Sequence, residues 1–543
     1  MLIFYSCLFA VGCSKPGAKL SDDLDQDVNS IIESNWSDSY GSLADYKISE
    51  YLTDDDKKGI IPAKRNKACQ AVAIDNANPL KLVDAVKLAI ERSNEYNASR
   101  EMLFITALDQ KKVEYFYEMI PFSTTDAGYQ GQRRNDNALR ADSENGFEKL
   151  LATGAVFNTA IQSTYLNVLT GDIKSGANSI FSAVITQPLL RGADRVVVLE
   201  KLTQAQRDTL YAVRDFNQFR KEFIVSVTTD YYLLLQKQDE LTTAKLNLEL
   251  LENFLSNSKI LSQYGRLPKH ELQQAIQDKN EAQNNLVQTQ KEYEQMLDEF
   301  KLRLLIPQVQ EITLDYAELE ILNASEPADL PMTNEKAIEY ALNQRLDLIN
   351  ASDQVIDAHR KVYVAGDALK TDLSITGAFA SDSESLTFGA EPGGLTKTAQ
   401  NYEVFLKLDL PIDRKQEKYT YKRSLINLAQ RQRSHQIITE QIKFDVQDSL
   451  RNMQESKTLL PILKQSTVLA LERFNNTQKL LKVNRANTRD VLDAQEDYIE
   501  SHNDLTKTAV AYAIARLEFF SNTGMLWVNP DGRWTTEAAV SVK

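Results

Sequence analysis

Two carboxylates near the C-terminal end of the chain are the residues best placed to act chemically. Asp490 and Asp493 are spaced i,i+3 at the start of a predicted helix, so they lie on one helix face. Carboxylates that share a face attract cations. Acidic residues in a first turn also simply stabilise a helix through its dipole. We assign only that role to Glu271, which occupies the equivalent position of an earlier helix.

No catalytic motif accompanies these carboxylates. The 543-residue sequence has no Walker loop, HExxH, GxSxG or GxGxxG pattern. The histidines are scattered, and each is interpreted as a solvated helix residue: His270, His359, His435 and His502. The cysteines all lie near the N-terminus, so they cannot form a metal cluster in the rest of the chain. They are Cys7, Cys13 and Cys69. The net charge of -14 repels phosphate backbones. We therefore expect no enzyme activity, cofactor, metal site or nucleic-acid partner.

Glu271 lies in a very long predicted helical hairpin. Residues 194–264 contain neither glycine nor proline, and a coiled-coil seam follows 3,4,3,4 spacing. The seam consists of Leu241, Ala244, Leu248, Leu251 and Leu255. About 70 helical residues reach roughly 105 Å, which is several times the width of a compact domain. The helix breaks at residues 265–268, and the same register then returns to about residue 305.

The same pattern recurs in the second half of the chain. Residues 414–483 are free of glycine and interrupted by one proline, Pro461, before a tip at residues 484–487 and a last helix. The segments YGRLPKHELQQA and VNRANTRDVLDA share an arginine after the turn, an acid and an alanine, Ala275 or Ala494. Shorter helices open the halves at about 79–120 and 333–369. The sequence therefore predicts an internal duplication of roughly 200 residues, too long for a solenoid unit.

Alternating segments between these helices are predicted to be strands. In residues 402–410 the even positions are apolar, whereas Glu403, Lys407 and Asp409 share the other face. The strand at 402–410 is predicted to pair with a strand at about 372–380, to which it is joined by the loop 381–401. The equivalent strands of the first half are predicted at about 147–166 and 177–187. Strands of 9–11 residues have the length that crosses a bilayer. Two hairpins cannot close alone in lipid, so these four strands require closure across chains.

The N-terminus reads as a targeting segment. Residues 1–12 are predicted to be a signal peptide, because an uncharged apolar run is followed directly by Cys13 and then by polar and acidic residues. The small residues before Cys13 resemble a bacterial lipobox, which makes Cys13 a candidate lipid anchor. An ordinary cleaved signal with an incidental cysteine is the alternative. Residues 13–78 would then form a mostly irregular, lipid-anchored N-terminal arm.

Residues 79–526 resemble the TolC-type outer-membrane efflux proteins. The resemblance is carried by ALNQRLDL, QPLLRG, LPIDRK, VLDAQ and ARLEFFSNTGML. It implies an α+β membrane protein in which a long α-helical coiled-coil barrel continues into a trimeric 12-stranded β-barrel, with four strands per chain. The implied segments are a first repeat at 79–306, an equatorial linker at 307–332, a second repeat at 333–526 and a tail at 527–543.

The resemblance also implies a function. A homotrimer in outer-membrane lipid would be the passive exit duct of a tripartite efflux or type I secretion system, carrying small molecules or polypeptides. An inner-membrane pump, driven by ATP or by protons, would reach it through a periplasmic adaptor. A non-channel coiled-coil structural or adhesion lipoprotein is the alternative. The strand pairs and the duplicated halves favour the channel, because a fibrous scaffold needs neither.

Particular residues receive roles from the same resemblance. The two tips would contact the adaptor, although Gly265 and Pro268 also suit the turn itself. These tip residues are Gly265, Arg266, Leu267, Pro268, Asn484, Arg485, Ala486 and Asn487. Asp490 and Asp493 would form a periplasmic gate, with six carboxylates in a trimer. Ala486 stands where the family can carry a locking arginine, so closure leans on Arg485 or Arg489, or is looser.

Overall fold

The computed structural model describes residues 19–37, 79–131, 137–170, 176–265, 267–327, 332–382, 386–387, 399–410, 412–483, 485–529 and 532–536. The chain divides into two compact units. The helical unit comprises Met1–Phe104, Val213–Ile349 and Ile437–Lys543. The sheet unit comprises Ile105–Ala212 and Asn350–Gln436.

Long helices and long strands alternate along the described chain. The helices are α1 Lys19–Asn35, α2 Leu82–Arg92, α3 Asn94–Tyr115, α4 Arg195–Val198, α5 Glu200–Gln263, α6 Lys269–Arg303, α7 Ala317–Ala324, α8 Asn334–Gln344, α9 Leu346–Asp367, α10 Lys415–Lys482 and α11 Thr488–Asn522. The strands are β1 Ile120–Gly131, β2 Asn137–Leu150, β3 Val156–Thr170, β4 Gly176–Pro188, β5 Asp372–Asp382, β6 Leu386–Thr387, β7 Ala399–Asp409, β8 Leu526–Val528 and β9 Trp534–Thr536. None of the described helices is long and apolar enough to cross a membrane.

Helix lengths agree with the predicted duplication. Each half opens with helices of 11 and 22 residues, α2 and α3 or α8 and α9. The long helices have 64 and 68 residues, and each returning helix, α6 or α11, has 35. The segments expected to be helical at about 79–120 and 333–369 are helical over most of their length, but each contains two helices. They break at Ser93 and Arg345, where ψ is 130° and 121° and the chain leaves the helical region.

The hydrogen bonds of the helical ladder survive both breaks. The Ser93 amide donates to the carbonyl of Ala89 at 2.8 Å, and the Arg345 amide donates to that of Ala341 at 2.9 Å. Each break therefore leaves the amide at that position hydrogen-bonded. No glycine or proline stands at either position, which explains why the composition of the segments did not reveal the breaks.

Pro461 does not end its helix. The helix α10 runs from Lys415 to Lys482 with Pro461 inside it, although proline lacks the amide proton that the helical ladder uses. Leu460, directly before it, is fully buried in the helical unit. The largest buried side chains of this unit include Leu103, Phe216, Ile224, Tyr231, Leu304 and Phe519. Burial of this apolar surface outweighs the local cost of the proline, which is about 3 kcal/mol.

The described part of the N-terminal arm, residues 19–37, is mostly helical. The helix α1 occupies Lys19–Asn35, and Val28, Ile31 and Ile32 on one of its faces are buried. Their i,i+3,i+4 spacing is typical of a helix that packs on a core. The guanidinium of Arg220 lies 5.8 Å from the centroid of the Trp36 ring, which ties the end of α1 to the helical unit. Residues 1–18, including Cys13, and residues 38–78 lie outside the described residues.

The sheet contains more strands than the four expected. Its order is β1-β2-β3-β4-β5-β7, all neighbours are antiparallel, and the short β6 pairs with β4. The expected strands at 177–187, 372–380 and 402–410 are confirmed as β4, β5 and β7. The expected strand at 147–166 is wrong, because it straddles the turn between β2 and β3 at residues 151–155. The hairpin β1–β2 was not predicted.

The linker and the tail contain short elements. The linker carries α7, and Leu314 forms a parallel bridge with Leu80, whose amide donates to the carbonyl of Thr313 at 2.8 Å. The tail forms the hairpin β8–β9, in which Leu526 pairs with Thr536. Leu526 and Val528 are buried in the helical unit. The start of the tail is therefore part of the folded core.

Candidate functional site

The first helical tip is a tight turn built on one glycine. Gly265 has φ +69°, a left-handed conformation that favours glycine, and no atom lies within 4 Å of an added Cβ. Its amide donates to the carbonyl of Ser262 at 3.0 Å, and Pro268 caps the start of α6 with ψ 146°. Leu267 is half-buried. Arg266 lies outside the described residues. The turn thus accounts for Gly265 and Pro268 through backbone geometry.

The second tip is closed by a backbone bond. The amide of Arg485 donates to the carbonyl of Leu480 at 2.9 Å, and its side chain is exposed. Ala486 is half-buried, Asn487 is the N-cap of α11, and Asn484 lies outside the described residues. The exposed guanidinium of Arg485 is therefore available for contact, since the turn uses only its backbone.

The two carboxylates start α11 as the spacing predicted, and both are exposed. The Oδ2 of Asp490 accepts a hydrogen bond from the Asn487 amide at 2.8 Å, which is one half of a capping box. The Oδ2 of Asp493 lies 3.9 Å from the Nε of Arg489, and their side chains are 55% and 86% exposed. Asp490 therefore stabilises the start of α11 as part of its cap, whereas Asp493 makes only a weak surface ion pair with Arg489.

The two faces of the sheet differ in composition. One is rich in apolar side chains, and the other is more polar, although Ile180, Val184 and Phe405 also lie on it. The pairings place on the apolar face, among others, Ile161, Phe181, Ile375, Phe379 and Leu406. The polar face carries Gln162, Asn178, Thr186, Thr376 and Lys407. Contacts confirm the separation, since the rings of Phe181 and Phe379 lie 6.4 Å apart and the hydroxyls of Thr186 and Thr376 lie 3.1 Å apart. Such a sheet can separate an apolar phase from water.

The predicted turns between strands and long helices are held by charged side chains. After β4, the amide of Gly192 donates to Asp367 at 2.8 Å, and Asp194 caps α4 by accepting from the Val196 amide at 2.9 Å. Before α10, Arg414 donates to the carbonyl of Leu369 and to the hydroxyl of Thr371. The motifs QPLLRG and LPIDRK thus precede contacts that fix where each strand ends and each helix begins.

A buried ionic cluster in the sheet unit escaped sequence analysis. Arg360 donates to Glu200 at 2.5 Å and to Asp357 at 2.7 Å, and the hydroxyl of Tyr211 donates to Asp357 at 2.5 Å. Burial lowers the pKa of Arg360, but the hydrogen bonds that Arg360 donates to both carboxylates outweigh it and raise the pKa. Arg360 therefore stays charged and fixes α5 against α9.

A second buried cluster lies in the helical unit. Asp239 is 4% exposed and accepts from Thr506 at 2.9 Å and from the hydroxyl of Tyr316, and the Nε2 of His502 lies 3.3 Å away. Burial raises the pKa of Asp239, but the hydrogen bonds from these three residues outweigh it and hold the pKa below its ordinary value. The expectation that His502 is a solvated helix residue is wrong, because it pairs with a carboxylate distant in sequence.

Among the described residues, no group of three or more His, Cys, Asp or Glu side chains could hold a metal ion. The two clusters are ion pairs within one unit each, and every carboxylate in them accepts a hydrogen bond or pairs with a cation. Their chemistry is that of structural anchors between helices.

Comparison with known proteins shows similarity in structure but not in sequence. No protein-family model matches the chain. No curated protein matches it. Among solved structures, the CmeC outer membrane channel of Campylobacter jejuni has a TM-score of 0.60 at 13% identity, over 86% of this chain and 91% of that chain. The outer-membrane channel OprN has a TM-score of 0.59 at 13% identity, over 84% and 95%. The open-state MtrE outer membrane channel of Neisseria gonorrhoeae has a TM-score of 0.55 at 12% identity, over 82% and 88%.

The chain therefore has the fold of the outer-membrane efflux channels. The matches cover most of this chain and most of each channel, so the fold is shared throughout and not in one domain alone. The resemblance to TolC-type proteins that the sequence motifs indicated is confirmed at the level of the fold.

Proposed function

We propose that the protein is an outer-membrane exit duct that acts passively in a tripartite efflux or type I secretion system. The observation that carries this proposal is the sheet with one apolar and one polar face. Along the chain, the strands of this sheet alternate with two long helical hairpins. Solved outer-membrane channels share this fold. An apolar face of this kind is suited to lipid and the polar face to a water-filled lumen.

Closure of the sheet supports a homotrimer as the working form. Both edges of the sheet are long, since β1 has 12 residues and β7 has 11. Unpaired backbone groups at such edges are costly in lipid and are satisfied when strands of other copies complete a barrel. The proposal includes residence in the outer membrane and a lipid anchor at Cys13, which the lipobox-like sequence supports.

The partners in this proposal are a periplasmic adaptor and an inner-membrane pump. The tips around Gly265 and Arg485 would meet the adaptor, because the turns expose polar and charged groups beyond the ends of the helices. Asp490 and Asp493 would form the periplasmic gate, since both are exposed at the start of α11 and share one face. The chain carries no nucleotide-binding motif, so the energy would come from the pump.

The alternative is a coiled-coil structural or adhesion lipoprotein without a pore. Such a protein needs long helices, but it has no use for a two-faced sheet six long strands wide. The apolar side chains exposed on that sheet, Phe181 and Leu406 among them, would also be a liability in water. The sheet therefore favours the duct.

Neighbouring positions on β3 give a sharp test. Ile161 lies on the apolar face and Gln162 on the polar face, and both are exposed in the single chain. We expect Ile161→Lys to cost about 2–4 kcal/mol of membrane insertion and Gln162→Lys to cost little. Each variant is purified from outer membranes and added to planar bilayers. The duct requires conductance from wild type and from Gln162→Lys and a loss of inserted protein for Ile161→Lys. Wild-type protein that forms no conducting channel would overturn the proposal.

A further inference from the structure

The hairpin β1–β2 extends the sheet beyond the four strands that the resemblance implies. It pairs with β3 over the full length of β2, from Asn137 opposite Thr170 to Leu150 opposite Val156. One register shift occurs, at the far end between Asn137 and Ala138. A ladder this long makes the hairpin an integral part of the sheet, with β3 in its interior instead of at its edge.

We propose that all six long strands of each chain form the membrane wall, and that β1 of one copy pairs with β7 of the next. This inference rests on the proposed function, since it concerns how the trimeric duct closes. Three copies of six strands give a barrel of eighteen strands. The resemblance implied twelve.

Strand direction makes the two edges complementary. Five antiparallel steps separate β1 from β7, so these strands run in opposite directions within one chain. When copies follow one another around an axis, β7 of one copy and β1 of the next are therefore antiparallel. Their lengths of 12 and 11 residues also match. Every step of the closed wall is then antiparallel, as in other membrane barrels.

In the two described strands of the hairpin, the charged side chains fall on the side that a lumen requires, apart from Lys149 at the end of β2. Asp126, Arg140, Asp142 and Glu144 share one face in the pairing of β1 with β2. Thr164 of β3 donates to Asp142 at 2.7 Å, which shows that this face continues the polar face of the other strands. Arg140 pairs with Asp142 at 2.6 Å, so the charges balance one another there.

The opposite face of the hairpin suits lipid. It carries Ala127, Tyr129, Leu139, Ala141 and Phe147. The step from residue 139 to 147 is roughly 26 Å along the strand, or about 20 Å of membrane height at a tilt of about 40°, most of the apolar band. Lys149 lies on this face next to the strand end, where a long side chain reaches the interface.

The polar side chains in the middle of that face satisfy one another. Ser123 donates to the amide oxygen of Asn145 at 2.7 Å, and the amide nitrogen of Asn145 donates to Ser143 at 3.0 Å. Hydrogen-bonded polar groups cost far less to bury in an apolar medium than unpaired ones. The hairpin therefore has one face for lipid and one for water, as the other four strands do.

The consequence is a wider duct. With strands about 4.8 Å apart and tilted by about 40°, twelve strands close at a backbone diameter of about 24 Å and eighteen at about 36 Å. The cross-section inside the membrane would then be about twice as large, since area follows the square of the diameter.

Disulfide cross-linking between copies identifies the strand that meets β7. Val404→Cys in β7 is combined in turn with cysteine at Ser123, Thr125, Ala127 or Tyr129 of β1, all on the same face. Four positions are used because a disulfide needs Cβ atoms about 3.5–4.5 Å apart. The competing set places cysteine at Thr159, Ile161, Ser163 or Tyr165 of β3. Val404→Cys alone is the control for the native cysteines.

The results separate this inference from the proposed function. We expect covalent dimers and trimers from at least one β1 pair, and none from the β3 pairs or from Val404→Cys alone. Trimers cross-linked through β3 would overturn the wall of six strands and leave the proposed duct standing. Stable monomers without conductance would overturn both.

An image of the barrel gives an independent measure. Electron cryomicroscopy of the purified wild-type complex, viewed along the barrel axis, should give a backbone diameter of about 36 Å. A closed trimer of about 24 Å would contradict the inference, because the hairpin β1–β2 would then lie outside the wall.

Discussion

The pair formed by His502 and Asp239 should make the stability of the helical unit depend on pH. The hydrogen bond to Asp239 raises the pKa of His502 and outweighs the burial that lowers it. A histidine with a raised folded-state pKa contributes its full stabilisation below the unfolded value, near 6.5, and loses it as pH rises through the folded value. The other ionisable donor, Tyr316, stays protonated throughout, because burial and the bond to Asp239 raise its pKa.

The geometry sets the size of the effect. A hydrogen bond between two charged groups contributes about 1.5–3 kcal/mol, and the 3.3 Å separation and the 30% exposure of His502 favour the lower end. A neutral histidine that still donates contributes about 0.5–1 kcal/mol. The part that depends on pH is therefore about 1 kcal/mol. Asp239 keeps Thr506 and Tyr316 as donors when His502 is replaced, so the unit should still fold.

His502→Gln isolates the charge, because glutamine keeps a neutral donor at every pH. We expect the variant to match wild type near pH 8.5 and to be less stable by about 1 kcal/mol near pH 5.5. Denaturant midpoints of the purified complex at both pH values measure the difference. Asp239→Asn is the matched control, since it removes the acceptor charge and should abolish the pH dependence. An equal difference between wild type and His502→Gln at both pH values would refute the reasoning.

Three further predictions concern the tips and the gate. Asp490→Asn together with Asp493→Asn keeps a cap acceptor but removes both charges. Block by divalent cations from the periplasmic side should disappear and cation selectivity should fall in planar bilayers; persistent block would place the gate elsewhere. Arg485→Glu should lower efflux at an unchanged trimer level, whereas Lys479→Glu, exposed in the last turns of α10, should not; equal efflux would exclude the tip contact. Gly265→Ala should cost about 1 kcal/mol through its φ of +69° alone, measured as a lower unfolding midpoint; an unchanged midpoint would contradict the strain.

The long helices were predictable because the residues that end them are recognisable in the local sequence. Glycine and proline mark the first tip, and their absence marks α5, which ends at Gln263 within a residue of the expected boundary. The second tip has neither residue, but Asn487 and Asp490 form a cap that short-range sequence reveals. Features that depend on residues within a few positions of one another can therefore be predicted from the sequence.

The hairpin β1–β2 was missed because its alternation is weak. In ADSENGF the apolar face is represented by Ala141, Ser143, Asn145 and Phe147, so two of four positions are polar. Those two are tolerated only because Ser123 and Ser143 hydrogen-bond with Asn145, a fact of pairing that no window of sequence contains. The segment therefore resembled a loop.

The buried clusters were out of reach for a different reason. Thr506 and Asp239 are 267 residues apart, and Arg360 and Glu200 are 160 apart. Without the fold, each is an ordinary charged or polar residue on a helix, and such residues are usually solvated. Only tertiary packing turns them into pairs.

Divergence between the duplicated halves explains why a gate would form from one of them. Glu271 and Asp490 are both the third residue of a 35-residue helix. One turn further the halves differ, because Asp493 corresponds to Gln274, which donates to Asp278 at 2.8 Å. The second repeat therefore carries two exposed carboxylates in its first turns, where the first repeat carries one that is half-buried. If the protein forms the proposed trimer, this difference would concentrate negative charge at three of six equivalent helix starts, and a ring of three paired sites would come from a single position in the duplication.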